Sequence, residues 1–362
     1  MTSLTLIAVG DIMLGEQPLC ENFGVKAVLK AKGTEYLFRE VSPLLREGDI
    51  VFGNLECSLA SDDADLQEGS FFCTHGAAAR GLAEAGFTVL SIANNHIMEN
   101  GRARFLETAR ALREHGMVPA GIRGDTPILE VKGRRVAFLA YSFIEDGIAD
   151  ACYNKVRSEE PILANVRAVR PEADVIVVSL HWGFEYVPFP SPDQIRIGRA
   201  LVDAGADIIL GGHPHVSQSF ELYHERPIFY SLGNFVFDST FIRNTRDSFI
   251  AKITLGDSPD PIGVEFVPIR INRRDYFPEL VGSPDKERLL IQAHETRSMV
   301  EETAVSTYEE RLGDYGQHYR TCKRPALRSM KKHFILNIPR YSSSTFYNIV
   351  RSYATRRVGE QR

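Results

Sequence analysis

The hydrophobic positions of this chain come in short bursts. "LTLIAVG", "DIVFGNLE", "FTVLSIAN", "RRVAFLAYS", "DVIVVSLHWG", "ADIILGGH" and "PIFYSLGNFVF" are rich in β-branched and aromatic residues and too short for core helices, so each predicts a strand. "SFIAKITL" and "IGVEFVPIRI" predict two more. Between the bursts the apolar spacing opens to the three-and-four period of amphipathic helices, and this alternation up to about residue 270 predicts an α/β domain. After "VGSPD" at 281–285 it stops; residues 286–335 read as helical, with "KERLLIQAHETRSMVEETAV" as one long helix. A boundary near Pro284 then divides the chain into a main domain, residues 1–282, and a helical, basic C-terminal extension, residues 283–362.

Two stretches repeat one design. "LAEAGFTVLSIANNH" and "LVDAGADIILGGHPH" each run from a helix end through an Ala-Gly turn into an apolar strand that ends in polar residues. Glycine is a common C-cap, so the echo establishes two helix-to-strand units and directs attention to the polar residues at each strand's end.

Composition narrows the class. With 44% hydrophobic and 25% charged residues, 362 residues suffice for one large globular domain or two smaller ones. "LTLIAV" lacks a basic leader and ends at Gly10-Asp11, so it reads as a strand, not a signal peptide, and no run reaches the roughly 18 apolar residues of a membrane helix. The expectation is a cytoplasmic protein without a membrane span. Five irregularly spaced cysteines with no C-x-x-C pair argue against a disulfide framework or a zinc knuckle. The net charge of -5 conceals a split. Residues 320–362 carry 11 Lys+Arg against one acid, which is +10; the remaining 31 Lys+Arg against 46 Asp+Glu give -15. The basic tail is expected to dock on the acidic body or to contact an anionic surface or polymer; nucleic acid is the weaker partner, because no nucleic-acid motif accompanies the tail.

The strand ends carry the chemistry. Asp11 follows "LTLIAVG", Glu56 follows "DIVFGN", Asn95 and His96 follow "TVLSIA", His181 follows "DVIVVSL", and His213 and His215 follow "ADIILGG". Open α/β sheets bind ligands beyond the carboxyl ends of their strands, so these groups converge if the strands are neighbours. Taken singly, Asp11 suits a helix cap, Glu56 a solvated loop, Asn95 a turn, and His96 or His181 a structural histidine. Together they form a nitrogen and oxygen donor set without thiolate, suited to zinc, manganese or iron and large enough for two ions sharing a carboxylate. His213-Pro214-His215 is the most specific feature. Pro214 biases its neighbour toward extended backbone, where residues two apart point to one side, and Gly211 and Gly212 permit close approach to a ligand. The other histidines, at 75, 115, 224, 294, 318 and 333, lack this context, with His75 the one to revisit.

The ordered set "VGDIMLG", "FGNLE", "ANNH", "HWGFEY", "GGHPHVSQ" and "YSLGNFVFD" resembles the CapA family, associated with capsule and poly-gamma-glutamate biosynthesis, itself similar to the calcineurin-like dinuclear metallophosphoesterases. The resemblance covers roughly residues 4–240 and implies a four-layer α/β/β/α sandwich with a metal centre at one edge of the sheets. Matched by position, it implies that Asp11 and His215 bind a first divalent ion, Glu56 bridges, and Asn95, His181 and His213 complete a second site, with His96 as the acid/base. Met13 stands where these phosphoesterases usually place a histidine two residues after the aspartate, and a thioether is a poor ligand for hard ions. The expected activity is a metal-dependent hydrolase or transferase acting on a phosphoester, a gamma-glutamyl amide or poly-gamma-glutamate. The alternative is a noncatalytic accessory or binding subunit of a polymer-making complex. Glu185, Tyr186, Asn234 and Asp238 are candidates to line the site, or else packing and turn residues; Trp182 is a candidate floor of the pocket or a core aromatic.

Overall fold

A computed structural model describes residues 3–61, 69–256, 263–300 and 304–359. In chain order the strands are β1 (Leu4–Ile12), β2 (Ile50–Leu55), β3 (Ser58–Ala60), β4 (Cys73–His75), β5 (Val89–Ser91), β6 (Val118–Ala120), β7 (Ile128–Val131), β8 (Arg134–Ser142), β9 (Val175–His181), β10 (Ile208–Gly212), β11 (Phe220–Tyr223), β12 (Arg226–Phe229), β13 (Asn234–Val236), β14 (Asp247–Leu255), β15 (Gly263–Ile271) and β16 (Pro278–Leu280). One sheet runs β16-β15-β14-β1-β2-β5-β6, with β13 also paired to β1; the second runs β11-β12-β10-β9-β8-β7, and β3 pairs β4 separately.

The central strands β1, β2, β5 and β6 are parallel, as are β8, β9 and β10, and their continuous apolar runs follow from burial on both faces. Side-chain parity shows the layers. Val175 and Val177 of β9, with Phe138 of β8, join the core shared with the first sheet, where Phe138 stacks on Phe52 at 6.2 Å. Ile176, Val178 and Leu180 face the other way, onto the helices Glu160–Val169 and Pro192–Asp203. The first sheet in turn packs on helices that include Val25–Lys32, Ala78–Ala85 and Gly101–Glu114. This is the expected α/β/β/α sandwich. The internal echo is real at the level of local structure: Gly86 (φ 112°) and Gly205 (φ 114°) turn the chain from helix into β5 and β10, one in each sheet.

Two sequence expectations need correction. "PIFYSLGNFVF" is not one strand: β12 belongs to the second sheet and β13 to the first, and the chain crosses between them at 230–233. Gly233 (φ 73°) permits that crossing. The long helix after Pro284 runs Asp285–Val300, and a new helix begins at Val305, with residues 301–303 outside the described set.

The extension continues as helices Tyr315–Asn337 and Ser343–Gly359 and is packed on the body. Tyr308 and Tyr315 donate to the carbonyls of Pro190 and Phe189, and His333 and Tyr341 contact the Leu19 carbonyl at 3.0 Å each. Buried Glu21 accepts from Ser342 N, Ser342 Oγ and Thr345 Oγ1 at 2.7–2.9 Å. No helix among the described residues is long and apolar enough to cross a membrane.

Candidate metal centre

Asp11 sits within β1 where the pairing registers to β2 and β13 both shift, a bulge that re-aims its side chain. Glu56 follows the end of β2, His181 is the last residue of β9, and His213 follows β10. The first sheet thus supplies Asp11, Glu56 and Asn95, and the second supplies His181, His213 and His215. Asp11, Glu56 and His215 are all buried and offer ligand atoms within 4.8 Å of one another. His215 Nδ1 lies 3.4 Å from Asp11 Oδ2 and 3.0 Å from Asn234 Oδ1. On the other side, His181 Nε2 faces Glu56 Oε1 at 3.2 Å and Asn95 Oδ1 at 2.8 Å. The His213 ring stands between, 4.9 Å from that of His181 and 5.9 Å from that of His215. Glu56 therefore lies on both groups, as a bridging ligand would.

The backbone of the histidine pair is not the extended one expected. His213 (φ 95°) and His215 (φ 59°) both lie in the left-handed half of conformational space, where non-glycine residues are strained. His213 N donates to Asp11 Oδ2 at 3.2 Å, and Tyr186 N donates to the Pro214 carbonyl at 2.8 Å, so surrounding contacts hold the bend. The glycines serve the protein more than a ligand. A Cβ on Gly211 would lie 2.1 Å from the Tyr230 carbonyl oxygen, and one on Gly212 would lie 2.6 Å from Asp11 Oδ1.

Asn95 and His96 lie in a turn after β5, so they do not project to opposite sides of a strand. Their side chains meet: Asn95 Nδ2 is 3.1 Å from His96 Nε2, while Asn95 Oδ1 faces His181. His96 Nδ1 contacts Glu99 Oε1 at 2.6 Å, and its ring stacks on Phe72 at 3.8 Å. In the neutral ring, Nδ1–H donating to Glu99 leaves Nε2 as the acceptor facing Asn95 Nδ2. His96 is a partly exposed group at the rim, one amide away from the ligand cluster.

Electrostatics divide the imidazoles. Burial, then the charge of Asp11, pushes the Glu56 carboxyl well above the usual range. Burial opposes charging of His215, yet Glu56 and Asp11 together raise it to about 9. His181 and His213 are held well below the ordinary range, first by burial and then by neighbouring imidazoles. His181 and His213 are thereby held in the neutral form that binds a cation, whereas His215 and Glu56 favour their protonated forms and would release protons to an incoming ion. Glu56 Oε2 and His213 Nδ1 are buried with no hydrogen-bond partner among the described residues. Buried orphans of this kind are rare, and here both are electron-pair donors. The donor set and these two atoms fit a divalent ion.

Some residues were missed or misplaced by the sequence reading. Asn54 ties the centre together: its Nδ2 lies 2.9 Å from Asp11 Oδ1 and 3.3 Å from both Glu56 Oε1 and His181 Nδ1. Asn234 belongs at the site, through His215, and Tyr186 lies 6.3 Å from the His215 ring. Asp238 faces away, onto Gln17. Trp182 is a core residue that donates to the Tyr230 carbonyl and stacks on its ring. Met13 is fully buried in the main core. His75 lies in β4 of the small sheet, His333 stacks on Phe241, and the side chain of His294 is outside the described residues.

The chain is 37% identical over 307 residues to the capsule biosynthesis protein CapA of Bacillus anthracis, covering 80% of this chain and 72% of that one. It is 34% identical over 266 residues to the PGA biosynthesis protein CapA of Bacillus subtilis, covering 68% of this chain and 66% of that protein. Among solved structures, a novel phosphatase of Mycoplasma pneumoniae aligns at 13% identity with a TM-score of 0.49, covering 75% of this chain and 94% of the other. The family of bacterial capsule synthesis proteins, PGA_cap, matches residues 5–239, which include every ligand candidate above. This chain belongs to that family.

Proposed function

We propose that the chain is a divalent-metal-dependent hydrolase or transferase acting on poly-gamma-glutamate, a gamma-glutamyl amide or a phosphoester. The observation that carries the reading is the buried Asp11–Glu56–His215 cluster with His181, His213 and Asn95 on its far side. Asp11, Glu56 and His215 would hold one ion, and Glu56, Asn95, His181 and His213 a second, the metals being manganese, zinc or iron by donor chemistry. Such ions bring a bound water's pKa toward neutrality and polarise the scissile group. His96 takes or returns a proton at Nε2, with Glu99 holding its Nδ1 and Asn95 relating its position to the ligands. Metal analysis of the purified full chain, with turnover of phosphoesters and gamma-glutamyl amides, tests this. Asp11→Ala and His213→Ala should lose metal and turnover together. His96→Ala should keep metal and lose about 100-fold to 10,000-fold in rate. A chain that holds no metal, with all three variants unimpaired in the cell, would sink the enzyme reading.

One observation favours a second reading. Met13 occupies the core and not the site, so the first ion has one protein ligand fewer than a phosphoesterase usually provides. A noncatalytic accessory subunit that keeps the fold is the alternative. The tail would serve either role by touching an anionic surface or polymer, since Arg328, Lys331 and Lys332 border exposed Ile335 and Leu336. Salt-sensitive binding of the full chain to anionic vesicles, lost on reversing those three charges, is the expected result; equal binding to neutral vesicles argues against it.

A further inference from the structure

Next to the histidine loop lies a cleft of about 670 Å³ whose walls carry five arginines, Arg243, Arg246, Arg270, Arg273 and Arg288, against one aspartate, Asp247. They come from the loop before β14, from β15 and the turn after it, and from the helix Asp285–Val300. Two of the five are neutralised locally. Arg270 bonds both Asp247 and Asp285, and Arg288 lies 3.7 Å and 3.4 Å from the same two carboxylates. Arg243, Arg246 and Arg273 make no salt bridge among the described residues, and Arg243 and Arg273 are exposed. Half-buried Arg246 donates to the Ile271 carbonyl; burial, then Arg273 and Arg270, lower its pKa. A folded chain that gathers more like charges around a cavity than it supplies counter-charges carries a repulsion that an anionic ligand would relieve.

The cleft borders the loop that carries His215. Val216, Ser217 and Gln218 line it and directly follow His215. The loop bearing Arg243 is anchored through Thr245, whose carbonyl accepts from Asn234 Nδ2 at 3.2 Å, while Asn234 Oδ1 faces His215 Nδ1.

We propose that this cleft is the binding subsite for an extended polycarboxylate chain, which lays successive carboxylates on Arg243, Arg246 and Arg273 beside the loop that carries His215. As a substrate subsite it rests on the metal-centre reading above. A guanidinium fork matches a carboxylate in paired hydrogen bonds. Arginines spread over several elements around one cleft suit a repeated anion, whereas one phosphate needs two or three donors converging on a point.

The test is fluorescence anisotropy of labelled oligo-gamma-glutamate with the full chain. Arg243→Ala combined with Arg273→Ala should weaken binding at least about tenfold, with the near-ultraviolet spectrum unchanged because both side chains are exposed. Arg243→Lys with Arg273→Lys should retain part of the affinity, and added salt should weaken binding of the native chain. Chelator treatment of the native chain should leave oligomer binding within about twofold. Native affinity in the double alanine variant overturns the subsite. Inorganic phosphate competing as well as the oligomer, carboxylate for phosphate, overturns the polycarboxylate class. Loss of binding in the arginine variant, in a chain that carries neither metal nor turnover, would leave the subsite standing and remove the catalytic reading alone.

Discussion

Asn54 Nδ2 has two protons and faces three groups: Asp11 Oδ1, Glu56 Oε1 and His181 Nδ1. Removing it leaves the two buried carboxylates short of a donor, so Asn54→Ala should cost roughly 1–3 kcal/mol in urea unfolding and reduce metal content. Full stability with full metal content would make Asn54 a bystander. The signal for this residue was present in "FGNLE": strand alternation puts positions 54 and 56 on one face. Asparagine between glycine and leucine otherwise reads as a turn, which is why it passed unnoticed. Met13 separates core from ligand. Met13→Ala should cost about 2–5 kcal/mol while metal content holds; a loss of metal without a loss of stability would return Met13 to the site. Asp238 supplies a pH dependence. Its burial, partly offset by hydrogen bonds from Gln17, raises its pKa from 3.8 to about 7. Between those values the folded chain keeps a proton that the unfolded chain has released, so this group's contribution to stability falls as pH rises through the window and levels off above it. Asp238→Asn should flatten the decline of the urea midpoint between about pH 4 and 7, and an unchanged decline would refute the assignment.

At the scale of elements, the strand-end residues were legible because parallel strands place their carboxyl ends together, whatever the loops do. Asp11, Glu56 and His181 all sit where that rule put them. The loops were not legible. His213-Pro214-His215 reads as extended from local preference, yet hydrogen bonds to Asp11 and Tyr186 override that preference and bend the chain through left-handed angles. Likewise "PIFYSLGNFVF" has the composition of one strand, and only the packing of two sheets reveals that it serves both. The glycines give this scale its prediction. A methyl on Gly212 meets the Asp11 carboxylate, which can shift, whereas one on Gly10 meets the Gly233 carbonyl oxygen at 1.8 Å, which is backbone. Gly212→Ala should therefore keep its circular dichroism and lose metal, and Gly10→Ala should fail to fold.

For the whole molecule, the charge split suggested a tail held to the body by ion pairs, but the described contacts are mostly stacked rings and hydrogen bonds. Arg340 lies over the Phe23 ring at 4.1 Å, His333 stacks on Phe241 at 4.0 Å, and Tyr341 packs against Phe23 at 6.2 Å. Glu21 is the exception in charge, since a buried carboxylate accepts three hydrogen bonds from residues 342–345. Glu21→Ala should release the last helix, seen as faster tryptic cleavage after Arg351, with the sandwich intact; an unchanged cleavage rate would mean the aromatic contacts suffice. Charge counting could not find this, because the attachment uses few formal charges.

The ligand candidates divide evenly between the sheets, three from each, and Glu56 reaches across the gap. An ion held there would be a rivet between two plates. Its grip would resist any sliding or parting of the sheets, and the β12-to-β13 crossing beside it already stitches the same seam covalently. Stripping metal with a chelator should then quicken amide hydrogen exchange in β1 and β2 together with β9 and β10. Quickening confined to the histidine loop would show that the plates hold without their rivet.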